Sequence, residues 1–85
     1  PAVILLDLRL PKVDGLEVLR LMKEDTELVN IPAVVLTTSN AESDVAAAYA
    51  NGAASYLVKP ADFKGFSSLM EVFCSYWLMW NKFPV

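Results

Sequence analysis

Val3-Ile4-Leu5-Leu6-Asp7-Leu8-Arg9-Leu10-Pro11-Lys12-Val13-Asp14-Gly15 is the stretch on which the reading of this chain turns. Val3 to Leu6 are four apolar residues with no polar alternation, the signature of a strand buried on both faces. The run stops at a carboxylate, Asp7. Pro11 and the Asp14-Gly15 pair then mark a loop and the start of a helix. In α/β sheets, functional groups gather at the carboxyl ends of strands. Asp7 therefore stands where a site is expected, and the rest of the chain is read for what it brings there.

Downstream, the pattern repeats twice. A helix is expected from Gly15 to Glu24, with Leu16, Val18, Leu19 and Met22 inward and Arg20, Lys23 and Glu24 toward water. Ile31-Pro32 leads into a second unalternating strand, Ala33 to Leu36, where proline is tolerated because it lies at the strand's start. Thr37-Thr38-Ser39 follows, and Ser39 with Glu42 has capping-box spacing for a helix over Ala41 to Ala50. Gly52 fits the C-terminal end of that helix. Ser55 to Val58 reads as a third strand, ending at Lys59-Pro60. Asp62 is placed to cap a last helix over Phe63 to Trp80. Strand and helix in strict alternation imply an α/β fold with a parallel sheet and right-handed crossovers. All three strands then end on one edge, so that Asp7, Thr37 and Lys59 converge there.

The 85 residues suffice for one domain at most. A hydrophobic fraction of 55% excludes disorder and exceeds what so short a chain readily buries. The net charge is −3 with no basic run, which gives direct nucleic-acid binding no support. No apolar run approaches the roughly 18 residues of a membrane span. The single cysteine, Cys74, forms no internal disulfide, fits a reducing cytoplasmic compartment, and reads as a small buried apolar residue. The chain has no histidine, the commonest general base and metal ligand. Pro1 is not an ordinary start, so residues ahead of it are expected.

The last helix carries two apolar stripes. One is Phe66, Leu69, Met70, Phe73, Trp77 and Trp80; the other is Val72, Tyr76, Met79 and Phe83. A helix lying on a sheet buries only one. The second is either a helix end covered by loops or a contact surface, preferably of a homodimer formed through Phe73, Tyr76, Trp77 and Trp80.

A carboxylate, a hydroxyl and an ammonium in one crevice suit phosphoryl transfer to the acid, since aspartate is a covalent phosphoryl acceptor. The bland alternative for Asp7 and Lys59 is a structural ion pair. Asp7-Leu8-Arg9-Leu10-Pro11 with Asp14-Gly15, then Leu36-Thr37-Thr38, then Gly52-Ala53 with Tyr56-Leu57 and Lys59-Pro60, in that order, resemble the receiver domain of two-component response regulators. Thr37-Thr38-Ser39 and the aromatic tail are most similar to small single-domain regulators of the phytochrome-associated kind.

The resemblance implies a flavodoxin-like parallel sheet with helices on both faces, of which residues 1–85 form the C-terminal portion of a single receiver domain. It makes Asp7 the phosphoacceptor for a sensor histidine kinase. Thr37, Thr38 and Lys59 become the phosphoryl-coordinating residues, and Thr37 and Tyr56 the switch pair. Asp7 and the carbonyl of Arg9 become ligands of Mg²⁺, and the Lys59–Pro60 bond is expected to be cis. Thr38 departs from the small residue usual at its position. The chain also opens at what would be the family's third strand, so the acidic pair that completes the Mg²⁺ site has no counterpart and metal affinity is expected to be poor. Its first strand would be an open edge, and 85 residues alone are not expected to fold as a stable monomer. Two other functions fit part of the pattern. A degenerate receiver would serve only as a dimerisation or interaction module. A haloacid-dehalogenase-like phosphatase would need a second acid where Arg9 stands.

Overall fold

The computed structural model describes residues 2–8 and 12–83. Its elements run β1 (Ile4–Leu6), α1 (Gly15–Glu24), β2 (Ala33–Thr37), α2 (Glu42–Ala50), β3 (Ser55–Val58), α3 (Phe63–Ser75) and a π-helical turn, Tyr76–Trp80. The three strands form one sheet in the order β1-β2-β3. Both pairings are parallel, with Leu6 opposite Val35 and Thr37 opposite Val58. Two crossovers of the same hand between adjacent strands put α1 and α2 on one face. That face holds the core: Leu19 and Met22 from α1, Ala33 and Val35 from β2, and Ala48 from α2, flanked by Ile4, Leu6 and Tyr56. The alternate residues of β3, Ser55 and Leu57, line a groove together with Leu69, Phe73 and Trp77 of the last helical segment.

The helix boundaries have local causes. Asp14 caps α1 by accepting from the N–H groups of Leu16 and Glu17. Asp62 caps α3 through the N–H of Gly65. At the end of α2, Gly52 takes φ +99°. Its N–H donates to the Tyr49 carbonyl and that of Ala53 to the Ala48 carbonyl, the paired bonds of a Schellman motif.

Four local expectations are corrected. β2 is buried along its whole length, but β1 is not buried on both faces: Leu5 is 40% exposed. Among the described residues β1 pairs only with β2, and Leu5 is partly open although its register partner Val34 is fully buried. Ser39 does not cap α2; the N-cap is Ala41, without a side-chain bond. The last helix does not run regularly to Trp80. It widens after Ser75, and the Asn81 N–H reaches the Tyr76 carbonyl, five residues back. In this wider turn Tyr76 meets Trp77 edge-to-face, with ring centroids 5.2 Å apart. Cys74 is exposed rather than buried, because a rotation of about 100° per residue carries it off the stripe of Phe73 and Trp77.

The two apolar stripes separate only in part: Phe83, expected on the second, lies beyond the helix and is partly buried, its ring 6.4 Å from that of Trp77. Phe66, Leu69, Met70, Phe73 and Trp77 are partly buried, whereas Val72, Tyr76 and Met79 are exposed, and Trp80 leaves the first stripe at 77% exposure.

Candidate functional site

Parallel register brings the three strand ends to one edge. The Lys59 N–H donates to the Thr37 carbonyl at 2.7 Å, extending the ladder one step beyond Val58. From there the Lys59 side chain crosses the edge, and its Nζ lies 2.6 Å from Asp7 Oδ2. The side chains of Lys59 and Asp7 are 32% and 25% exposed. A pair so placed is screened less than a surface ion pair but keeps access to solvent, as a carboxylate that must meet a partner requires.

Thr37 lies one step inside. Its side chain is fully buried, and its Oγ1 accepts from the Ser39 N–H at a long 3.5 Å. Of the three residues expected to converge, Lys59 and Asp7 are in direct contact, and the Thr37 hydroxyl accepts a bond from its own loop. Thr38 is exposed at the rim. Tyr56 is partly buried against the core, and its hydroxyl donates to the Ser39 carbonyl at 2.9 Å. No cis peptide bond occurs among the described residues. Lys59–Pro60 is accordingly trans, which corrects the expectation of a cis bond.

Ser39 and Asp44 are the site residues the sequence did not disclose. The Ser39 hydroxyl donates to the Asp44 carboxylate. Ser39 stood out only as a cap paired with Glu42. No spacing rule for helices joins residues five apart, so the bond to Asp44 had no signal in the pattern.

Mg²⁺ needs near-octahedral oxygen ligation. Among the described residues no group of three or more His, Cys, Asp or Glu side chains is placed to hold a metal. Asp7 brings one carboxylate, with Lys59 against it. Asp14 is engaged at the start of α1, and Arg9 lies outside the described residues. By themselves the described residues do not make up a Mg²⁺ site.

Parallel sheet, edge carboxylate, bridging lysine and buried threonine together define a receiver-type α/β module. The chain belongs to the response regulator receiver domain family, whose profile matches residues 1–71. It is thus of the two-component signalling class. It is 50% identical over 84 residues to a probable methanogenesis regulatory protein, FilR2, of Methanothrix harundinacea, covering 99% of this chain and 54% of that protein. It is 46% identical over 78 residues to the response regulator Rcp1 of Synechocystis, covering 92% of this chain and 53% of that protein. Among solved structures it superposes on the phosphorylated cyanobacterial phytochrome response regulator RcpA with TM-score 0.93 and 39% identity. That match covers 100% of this chain and 61% of the other. The Mn²⁺-bound form of Rcp1 gives TM-score 0.90 at 44% identity, with the same coverage. The flavodoxin-like fold is therefore that of the receiver family, and the chain spans about half the length of the curated relatives it matches.

Proposed function

We propose that the chain accepts a phosphoryl group on Asp7 from a sensor histidine kinase and signals by a change at Thr37 and Tyr56 that alters protein contacts. The observation that carries this reading is the 2.6 Å contact between Lys59 Nζ and Asp7 Oδ2 at the carboxyl edge of a parallel sheet. In the reaction, an Asp7 oxygen attacks the phosphorus of a phosphohistidine. The P–N bond breaks, and the departing imidazole nitrogen takes a proton. The new acyl phosphate carries more negative charge than the carboxylate did, and the Lys59 ammonium is within reach to offset it. Thr37, next in register, supplies a hydroxyl for a phosphoryl oxygen, and the exposed Thr38 adds another at the rim. Tyr56 follows the loop that carries Thr37. In this reading the domain is a phosphoacceptor with at most weak self-dephosphorylation.

Self-association is part of the same reading. Tyr76 and Trp80 are exposed beside the partly buried Phe73 and Trp77, an apolar surface of the kind that marks contacts between chains.

The test is mass spectrometry after incubation with acetyl phosphate and Mg²⁺. A single phosphoryl adduct that disappears in Asp7→Asn is the expected result. Absence of an adduct from the unaltered protein, or its persistence in Asp7→Asn, would overturn the assignment.

A further inference from the structure

We propose that Gly65 is a positioning residue for Lys59: its lack of a side chain lets the start of α3 close against Pro60, and that approach sets where the Lys59 ammonium stands beside Asp7. The bearing of this on phosphoryl acceptance rests on the reading of Asp7 above. Gly65 is the third residue of α3, a place where glycine is a poorer helix former than alanine. Its conformation does not call for glycine, since Gly52 is the glycine with positive φ among the described residues. What calls for it is space. A Cβ at Gly65 would lie 2.6 Å from Asp62 Oδ1, 3.0 Å from Pro60 Cβ and 3.6 Å from Pro60 Cγ.

The two neighbours yield differently. Asp62 Oδ1 is the end of a side chain and can turn away, with loss of the cap it makes on the Gly65 N–H at 2.7 Å. Pro60 Cβ belongs to a ring closed onto its own backbone nitrogen, so it moves only with the backbone. That backbone is the continuation of Lys59. On its other side Lys59 is fixed by its N–H, which donates to the Thr37 carbonyl at 2.7 Å. As the residue before a proline, Lys59 is also confined to extended conformations. It is thus held between the strand ladder and a proline ring that rests on α3.

A Cβ at Gly65 requires Pro60 to give by a few tenths of an ångström. A change in backbone direction at Lys59 grows along its long side chain to Nζ, which lies 2.6 Å from Asp7 Oδ2. Helix stability and the placement of Lys59 therefore make opposite demands at Gly65. Alanine favours the helix yet crowds Pro60, and one substitution separates the two roles.

The experiment has two readouts on the full chain. The first is the NMR signals of the Lys59 side chain without phosphodonor, together with the shift that Asp7→Asn produces in them. That shift is expected to be clear in the otherwise unaltered protein and to fall to less than about half in Gly65→Ala. The second is the rate of adduct formation with acetyl phosphate and Mg²⁺. It is expected to fall roughly three- to tenfold in Gly65→Ala, the scale of a small misplacement of a catalytic group. Asp62→Ala removes the cap but leaves the approach of Gly65 to Pro60. It is expected to lower the melting temperature and to change the Lys59 response and the rate less than about twofold. An unchanged Lys59 response and rate in Gly65→Ala would overturn the proposal, as would equal losses in Asp62→Ala. A weakened Lys59 response in Gly65→Ala, in a protein that forms no adduct even when unaltered, would uphold the placement of Lys59 and overturn the reading of Asp7 instead.

Discussion

Asp7 is held on two sides, by a charge and by the close approach of a helix. The charge is Lys59. The helix is α1, whose first residue, Gly15, is buried beneath the loop that leaves β1. A Cβ at Gly15 would lie 2.6 Å from Leu8 Cδ2, 2.9 Å from Leu8 Cα and 3.4 Å from the Asp7 carbonyl oxygen. Leu8 Cδ2 can swing aside, but its Cα moves only if the backbone beside the acid moves. Gly15→Ala is therefore expected to cost about 1–3 kcal/mol in urea unfolding and to slow adduct formation at Asp7. Lys59→Met removes the Lys59 ammonium from beside the acid. It is expected to keep the fold and to lower the adduct yield in the acetyl phosphate assay, because the added charge on phosphorylation is no longer offset. The pairing of Asp7 with Lys59 was legible in the sequence, since each follows an apolar run and parallel strands end together. The siting of the Thr37 hydroxyl was not. It depends on which way a buried side chain turns, and that is settled by the backbone of the next two residues.

At the scale of elements, α1 shows how an exposed face and a buried face are written into one helix. Leu19 and Met22 are buried, while Arg20 bridges Glu17 and Glu24 on the surface. Leu19 is wholly inaccessible at the centre of the core, and Leu19→Ala is expected to cost about 2–5 kcal/mol in the same unfolding measurement. The hydrogen bond from Arg20 holds the Glu17 carboxyl below its ordinary range, with the Arg20 charge adding to the effect. A carboxyl lowered in the folded state contributes stability above its unfolded value and loses it as the pH falls through the lowered one. Exposure to solvent keeps that contribution small. In an NMR titration the Glu17 midpoint is expected to move up in Arg20→Ala and the core resonances to stay in place. Helix and strand positions were largely plain from periodicity. The exceptions are informative. Ser39 had the spacing of a capping box, yet its hydroxyl found the Asp44 carboxylate, a stronger acceptor that sequence distance had hidden. The aromatic cluster Tyr76-Trp77 sits where the helix winds wider, a change that no propensity foretells.

For the whole molecule, the question is what covers the apolar surface that this chain leaves open. Phe63, Val72, Leu78, Met79 and Trp80 are all exposed, the last four on or beside one segment. Beside them, Leu57, Leu69, Phe73 and Trp77 line a groove of about 330 Å³. If this surface joins two copies, sedimentation is expected to show a dimer that Trp80→Ser together with Met79→Ser shifts toward monomer, with the melting temperature falling as the protein is diluted. A monomer at all concentrations would refute the self-association. By itself the sequence determined the alternation of strands and helices, the parallel sheet and the meeting of acid and ammonium at its edge. Hydrophobic periodicity and strand ends are local properties of the chain, and parallel topology converts them into position. Only the tertiary structure decided that β1 would leave Leu5 partly exposed, that Cys74 would face outward, and that Ser39 would bond to Thr37, Tyr56 and Asp44 together. Each of these depends on which neighbour arrives from a distant part of the chain, and no local pattern encodes that.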